Sequence, residues 1–234
     1  MKILIQNGLI VDGSGDTPYN GDLLIEDEKI LKIANKIDAS IDASEADRII
    51  DADNRAVCPG FIDTHSHSDL KILENPYNEI KIRQGITTEV LGQDGLSMAP
   101  LPIEHISDWR KNIAGLDGES DTIDWTMLKS TKEYLDMMEN NTVGLNEAYL
   151  VPHGNIRMEA MGLDARVATD DEIKKMCEIT KREMQNGAYG VSTGLIYIPP
   201  AYSDTKEIIE ICKIVAELDG VFVVKKIVYL RLSE

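Results

Sequence analysis

The amino-acid sequence predicts an α/β fold with a parallel sheet, preceded by a small β subdomain. Two observations carry this prediction. After Pro59, five short apolar stretches alternate with four stretches of helical character, which is the pattern of a parallel α/β domain. Before Pro59, short aliphatic and β-branched runs are separated by turn sequences such as Asn-Gly and Asp-Gly, which indicates the strands of a small sheet.

The N-terminal subdomain is predicted over residues 1–58. Its strand candidates are the runs KILIQNGLIVD, GDLLIEDEKILKIANKI and DRIIDADNRAVCP. The first run alternates polar and apolar residues and lacks the continuous apolar core of a signal peptide, so it is predicted to be part of the folded subdomain. Cys58 is predicted to be a small core residue at the start of a buried strand.

The second predicted region covers residues 59–234 and contains the alternating pattern. Its strand candidates are GFIDTHSH, TTEVLGQD, EAYLVPHG, GAYGVSTG and GVFVVKKIVYL. Helices are expected over 70–83, 131–140, 169–186 and 205–219. The third begins with TDDE, a capping residue followed by acidic residues, and ends at an Asn-Gly pair. Residues 97–124, rich in Pro, Gly and acidic residues, are predicted as an inserted loop beside a functional site.

Charge and cysteine content restrict the partners. The chain carries 24 basic and 41 acidic residues, a net charge of -17, which disfavours nucleic acid and anionic membranes as partners. The three cysteines, Cys58, Cys177 and Cys212, are widely separated, so neither a disulfide framework nor a CxxC metal site is indicated. A small-molecule substrate and a reducing, cytoplasmic location are therefore expected.

The segment PGFIDTHSHSDL carries the clearest chemical signal. In a strand, residues two apart project from the same face, so His65 and His67 should point together, and imidazole is a common metal ligand. At the carboxyl end of a barrel strand both rings would reach the pocket where such enzymes work. The alternative is a chance pairing of two histidines. Asp63 and Asp69 flank the pair and are candidates to orient the imidazoles as hydrogen-bond acceptors.

Three other strand ends carry candidate residues. Asp94 is either a metal ligand or a turn residue before Gly95. His153 is a candidate for a third ligand, a substrate contact or a capped loop histidine, and the last two interpretations are favoured. Tyr197, ahead of a Pro-Pro pair, either presents its phenol to a pocket or packs its ring in the core.

Four segments resemble one enzyme family in order and spacing: VCPGFIDTHSHSD, QGITTEVLGQDGLSMAPL, AYLVPHGNIRMEAMG and GAYGVSTGLIYIPPAYSDTKEI. Up to about Val224, the chain is similar to the amidohydrolase superfamily and, within it, to the N-acyl-D-amino-acid deacylases (D-aminoacylases). The resemblance implies a (β/α)8 TIM-like barrel with a small β-sandwich subdomain built partly from the N-terminal strands. It also implies one or two zinc ions on His65 and His67, with Asp94 as a bridging ligand where some family members carry Cys. Tyr197 and His153 would lie near the substrate.

The implied reaction is hydrolysis of the amide of an N-acyl-D-amino acid by zinc-activated water, with an aspartate from the last strand as general base. A full barrel needs about 250 residues, whereas only about 175 follow Pro59, so an incomplete barrel of about five βα units is expected. The general base and the family's further histidine ligands are expected beyond the chain end. No catalytic residue is therefore assigned within the 234 residues, and little hydrolysis is expected of this chain alone.

Two alternatives remain beside the deacylase. The first alternative is a non-catalytic fragment or binding module that persists as a homo-oligomer, because a half-barrel exposes strand edges that an assembly would cover. The second alternative is a cyclic-amide hydrolase of the dihydroorotase or hydantoinase type, which shares the His-x-His motif. Those relatives commonly use a carboxylated lysine as the metal bridge, and no lysine is identified at a matching strand end.

Overall fold

The computed structural model describes residues 1–35 and 41–225, and the chain forms two compact units that divide between Gly60 and Phe61. The sequence placed this boundary after Cys58. Each unit has its own five-stranded sheet. Within the described ranges, no helix is both long and apolar enough to span a bilayer.

The N-terminal unit is a mixed sheet in the order β3-β2-β1-β4, with β5 also pairing with β1. Its strands are β1 (Lys2–Ile10), β2 (Tyr19–Glu26), β3 (Lys29–Asn35), β4 (Arg48–Asp51) and β5 (Ala56–Val57). Strands β1, β2 and β3 run antiparallel in sequence, whereas β4 and β5 lie parallel to β1. The described part of this unit is one sheet, so the composite sandwich stays a prediction. Cys58 is exposed, and its predicted core position is wrong.

The second unit is built on a parallel sheet in the order β10-β9-β8-β7-β6, so consecutive strands are neighbours. Its strands are β6 (Phe61–Asp63), β7 (Ile86–Leu91), β8 (Asn146–Pro152), β9 (Gly190–Gly194) and β10 (Val221–Lys225). Its helices are α1 (Lys71–Glu74), α2 (Glu79–Ile82), α3 (Ile106–Asp117), α4 (Thr131–Asn141), α5 (His153–Met161), α6 (Asp170–Gln185) and α7 (Thr205–Glu217). This is the arrangement of an incomplete (β/α) barrel of five strands, as the sequence predicted.

The helices follow from local sequence signals. Thr169 and Glu172 form a reciprocal capping box at the start of α6, which satisfies amide groups that the first turn leaves free. Ile173, Met176 and Ile179 then recur at helical spacing and are buried. The α6 face that packs on the sheet is therefore readable from sequence.

Two secondary-structure predictions, one of a helix and one of a loop, need correction. The helix expected over 70–83 is divided into α1 and α2, because Pro76 lacks the amide that a continuous helix would need. The loop expected over 97–124 contains the twelve-residue helix α3, which buries Trp109 and Ile113 four residues apart. The predicted fifth strand extends beyond Lys225 into residues outside the described part of the chain.

Two buried tyrosines connect the core of the second unit to the loops above it. Tyr134 donates to the backbone carbonyl of Asp69 at 2.6 Å, and Tyr149 donates to that of Ala99 at 2.6 Å. Their rings meet edge to face with centroids 5.1 Å apart. The segments after β6 and β7 are thus fixed by phenols of the core.

Candidate metal centre

His65 and His67 lie in the segment that follows β6, which ends at Asp63. The segment stays beside β7, because the amide of Ser66 donates to the carbonyl of Val90 at 3.3 Å. The two rings come together at the carboxyl edge of the sheet, with centroids 5.3 Å apart. His65 is half-exposed, and His67 is more deeply set.

Asp94 reaches the same place from the turn after β7. It has a left-handed backbone conformation, with φ of 61°, which aspartate tolerates better than most residues. Gly92 has φ of 74°, and a Cβ there would lie 2.0 Å from the carbonyl oxygen of Leu150. The sharp turn therefore requires glycine at this position. It places the Asp94 carboxylate almost wholly out of solvent.

The three side chains have the spacing of a metal site. His65 Nε2 lies 3.5 Å from Asp94 Oδ1, and His67 Nε2 lies 3.5 Å from Asp94 Oδ2. Ligand atoms around a tetrahedral zinc ion lie about 3.4 Å apart, given zinc–ligand bonds of about 2.0–2.1 Å. Asp94 Oδ1 is buried and has no hydrogen-bond partner within the described ranges. The donor set and this unpartnered oxygen fit a divalent cation.

Electrostatics favours the ligand form of His67. Burial lowers the pKa of His67, although the nearby Asp94 carboxylate acts in the opposite direction. The neutral imidazole, which is the form that binds metal, is therefore favoured at neutral pH.

Lys225, at the end of β10, also contacts this carboxylate. Its Nζ donates to Asp94 Oδ2 at 2.5 Å and to the Tyr197 hydroxyl at 3.1 Å. The hydrogen bond to Asp94 raises the pKa of Lys225, so the amine is an ammonium at neutral pH. Nothing local in the sequence indicates this contact, which joins residues 131 positions apart. The position of Lys225 at the end of a fifth parallel strand is the signal that could have revealed it.

Comparison with known proteins identifies the group to which this arrangement belongs. A model of the amidohydrolase family matches residues 48–224. This chain belongs to the amidohydrolase family. The D-aminoacylase of Alcaligenes xylosoxydans xylosoxydans is 33% identical over 220 residues, which cover 94% of this chain and 43% of that protein. The N-acyl-D-glutamate deacylase of the same organism is 32% identical, with 92% of this chain and 42% of that protein covered.

Solved structures of the same two kinds of enzyme also match this chain. A D-aminoacylase crystal structure matches with a TM-score of 0.80 and 31% identity, covering 94% of this chain and 44% of that one. The N-acyl-D-glutamate deacylase from Bordetella bronchiseptica, complexed with zinc and a phosphonate inhibitor, matches with a TM-score of 0.82 and 30% identity, covering 95% and 44%. The amidohydrolase chain thus spans less than half the length of these relatives.

A buried carboxylate supports the histidine segment of this amidohydrolase. Glu89, on β7 and fully buried, accepts hydrogen bonds from the hydroxyls of Ser66 and Ser68, the second at 2.8 Å. Asn78 donates to its other oxygen at 2.6 Å, and Lys81 lies 3.1 Å away as counter-ion. The two serines that alternate with the histidines are therefore anchored to one strand. Glu89 and Lys81 belong to no motif, so neither is recognisable in the sequence as part of the site.

Asp63 and Asp69 are the two carboxyls that flank the histidine segment in the sequence. Asp69 accepts from the Gly92 amide at 2.8 Å and from the Ser97 hydroxyl, whereas Asp63 pairs with Lys81. Neither accepts from an imidazole ring, so their predicted role as direct acceptors is wrong.

Asp117, which the sequence did not suggest, has Oδ1 3.9 Å from His67 Nδ1. Burial, reinforced by the charge of Asp69, raises the pKa of Asp117 well above the ordinary range.

His153 begins α5 directly after β8 and is fully buried. Its Nδ1 lies 2.9 Å from the Thr193 hydroxyl and its Nε2 lies 2.6 Å from Glu207 Oε1. Arg157, also fully buried, pairs with the other oxygen of Glu207. Both ring nitrogens are thus engaged by protein groups, and the structure does not place His153 with the metal cluster. Its role as a substrate contact stays a prediction.

Tyr197 lies at the edge of the sheet that carries Asp94. Its ring packs partly against the core of the second unit, and its hydroxyl accepts from Lys225. Both interpretations of this tyrosine, packing and a phenol aimed at the site, are compatible with this position. Substrate binding by Tyr197 also stays a prediction.

Proposed function

We propose that this chain is part of a metal-dependent hydrolase that cleaves the amide bond of N-acyl-D-amino acids, with zinc on His65, His67 and Asp94. The observation that carries the proposal is the pair of 3.5 Å separations between the two imidazoles and one buried carboxylate. The named activities of the two Alcaligenes relatives support the substrate class. The zinc complex of the Bordetella relative supports the metal.

The residues of the chain have distinct parts in this proposal. A bound zinc ion would supply Lewis-acid polarisation of the acyl carbonyl and a more acidic water. His65 and His67 would bind the ion through Nε2 in their neutral forms, and Asp94 would bind it through a carboxylate oxygen. Glu89 would hold the histidine segment in place, because ligands must be positioned by their neighbours as well as by the metal. The Tyr197 hydroxyl would be available to hydrogen-bond the substrate.

None of the residues proposed for the site has the role of general base. We therefore propose that the 234-residue chain binds metal but hydrolyses little by itself. Three free cysteines support a cytoplasmic location, and the charge of -17 supports a small-molecule substrate over nucleic acid or membrane.

The deacylase proposal is tested by metal binding and hydrolysis together. Zinc should bind the chain with a stoichiometry of one, and His67→Ala should abolish this binding. His105→Ala, on a half-buried histidine outside the metal cluster, is the matched control and should bind as the wild type does.

The protein extended by any coding sequence after codon 234 should release free amino acid from N-acetyl-D-amino acids and not from the L enantiomers. If that protein holds zinc and hydrolyses no N-acyl amino acid, the proposal fails.

An exposed edge supports a second candidate, a non-catalytic homo-oligomer. Phe61 and Ile62 on β6, and Val221 on β10, are exposed at the two ends of the parallel sheet. Such edges are covered in a closed barrel or by association. Sedimentation of the purified chain as a monomer would count against this candidate.

The cyclic-amide alternative ranks below both. A dihydropyrimidinase structure matches at 17% identity, which indicates the fold alone. The sequence indicates no lysine at a matching strand end, whereas in the structure Lys225 ends β10. Its ammonium, however, donates to Asp94, whereas a carboxylated lysine would bring a second negative charge beside this carboxylate.

A further inference from the structure

The Asp94 carboxylate already carries a cation that belongs to the chain itself. The Nζ of Lys225 lies 2.5 Å from Asp94 Oδ2, and this carboxylate is the one that His65 and His67 face. The contact joins residues 131 positions apart, the end of β10 and the turn after β7. It is therefore a product of the fold and does not arise from sequence proximity.

The backbone fixes the position of this lysine. Strand β10 pairs with β9 in parallel register throughout, and Lys225 lies opposite Gly194. Tyr197, shortly after β9, accepts a hydrogen bond from Nζ at 3.1 Å, and its ring centroid is 5.4 Å from Nζ. A surface lysine usually samples many rotamers, whereas this one is held by a carboxylate and a phenol.

A divalent ion and this ammonium would use the same carboxylate. Two cations a few ångströms apart repel strongly where solvent screening is weak, and Asp94 is only 1% exposed. The negative charge that would attract a metal is also partly neutralised while Lys225 is bound. By linkage, each cation must weaken the binding of the other to the same extent.

We propose that Lys225 is an internal competitor for the metal at Asp94 and sets the affinity of the His65, His67 and Asp94 site. A metal ion binds by displacing the ammonium from the carboxylate, and this displacement also releases the Tyr197 hydroxyl. Metal binding and the availability of this phenol are thus coupled through one side chain. The inference rests on the proposed metal-dependent function and extends it to the control of metal affinity.

Zinc titration by isothermal calorimetry tests this inference with three variants of the chain. Lys225→Met removes the charge and keeps the length of the side chain, so it should bind zinc at least about tenfold more tightly than the wild type. Lys225→Arg keeps the charge and should stay close to wild-type affinity. Lys213→Met is the matched control, because Lys213 is an exposed lysine of α7 that pairs only with Glu210 among the described residues. It should leave the affinity unchanged.

The outcomes separate this inference from the function on which it rests. If Lys225→Met binds zinc no more tightly than the wild type, while His67→Ala abolishes binding, the metal site stands and the competition is refuted. If every variant fails to bind zinc, both proposals are refuted. If Lys225→Met unfolds, as judged by circular dichroism, Lys225→Arg decides: a tenfold or larger rise in its zinc affinity would overturn the inference.

Discussion

Removing the charge of Glu207 should destabilise the second unit strongly, because two buried groups depend on it. Glu207 is fully buried on α7, and it pairs with Arg157 and with His153 Nε2. Among the described residues, the remaining hydrogen bond of the Arg157 guanidinium goes to the backbone carbonyl of Arg166 at 2.9 Å, and its Nε has no partner. The Glu207→Gln variant would therefore leave a fully buried cation without its counter-ion.

The magnitude follows from this burial. Breaking a buried ion pair by removing one partner costs about 3–5 kcal/mol, and we take about 3 kcal/mol because glutamine keeps one acceptor. For a chain of this size, each kcal/mol lowers Tm by about 2–4 °C, so a fall of about 6–12 °C is expected. Urea unfolding followed by the fluorescence of the two buried tryptophans, Trp109 and Trp125, measures the change in the free energy of unfolding.

Two further variants make the measurement decisive. Glu217→Gln, at an exposed position of the same helix, should change the free energy of unfolding by less than about 0.5 kcal/mol. Arg157→Met combined with Glu207→Gln should cost less than the sum of the single changes, by at least about 1 kcal/mol. If Glu207→Gln is as stable as Glu217→Gln, the buried pair does not hold α5 and α7 together and the reasoning is wrong.

The remaining predictions concern three other positions. Burial raises the pKa of Glu147 to about 8, so the stability that the protonated carboxyl provides is lost as pH rises from about 4.5 to 8. Glu147→Gln should therefore be more stable than the wild type at pH 8.5, by about 1–3 kcal/mol in urea unfolding, and equal stability would contradict this pKa shift. Gly92→Ala should lower the free energy of unfolding by at least about 3 kcal/mol in the same assay, because the added methyl would meet a backbone oxygen. Gly115→Ala, at an open helical position, should be neutral or stabilising, and equal effects of the two changes would refute the steric argument. Glu89→Gln should weaken zinc binding by about 10–100-fold in calorimetry while the circular dichroism stays unchanged, and an unaltered affinity would rule out its positioning role.

The parallel sheet and the metal cluster could be predicted from sequence for one physical reason. Strand and helix periods are local, so the alternation after Pro59 is readable, and the carboxyl ends of neighbouring parallel strands must share one edge. His65, His67 and Asp94 follow the first two strands of the second unit, and the fold brings them to that edge. Their adjacency follows from topology alone.

The buried charges around the cluster could not be predicted in this way. Glu89, Glu207 and Lys225 look like ordinary surface charges in the sequence, since nothing local distinguishes a solvated carboxylate from one with a distant partner. Their partners lie on other elements, up to 131 residues away. Helix α3 was missed for a related reason, because Pro, Gly and acidic neighbours obscured the spacing of Trp109 and Ile113.

The cluster of His153, Arg157 and Glu207 has a consequence for how the second unit opens. One carboxylate joins the start of α5 to the first turn of α7, and the Thr193 hydroxyl ties the same imidazole to β9. Three elements that are separated along the chain therefore meet at one buried polar cluster. In native-state hydrogen exchange, their amides should become accessible in one concerted step, as a single foldon, and not as three independent fraying events.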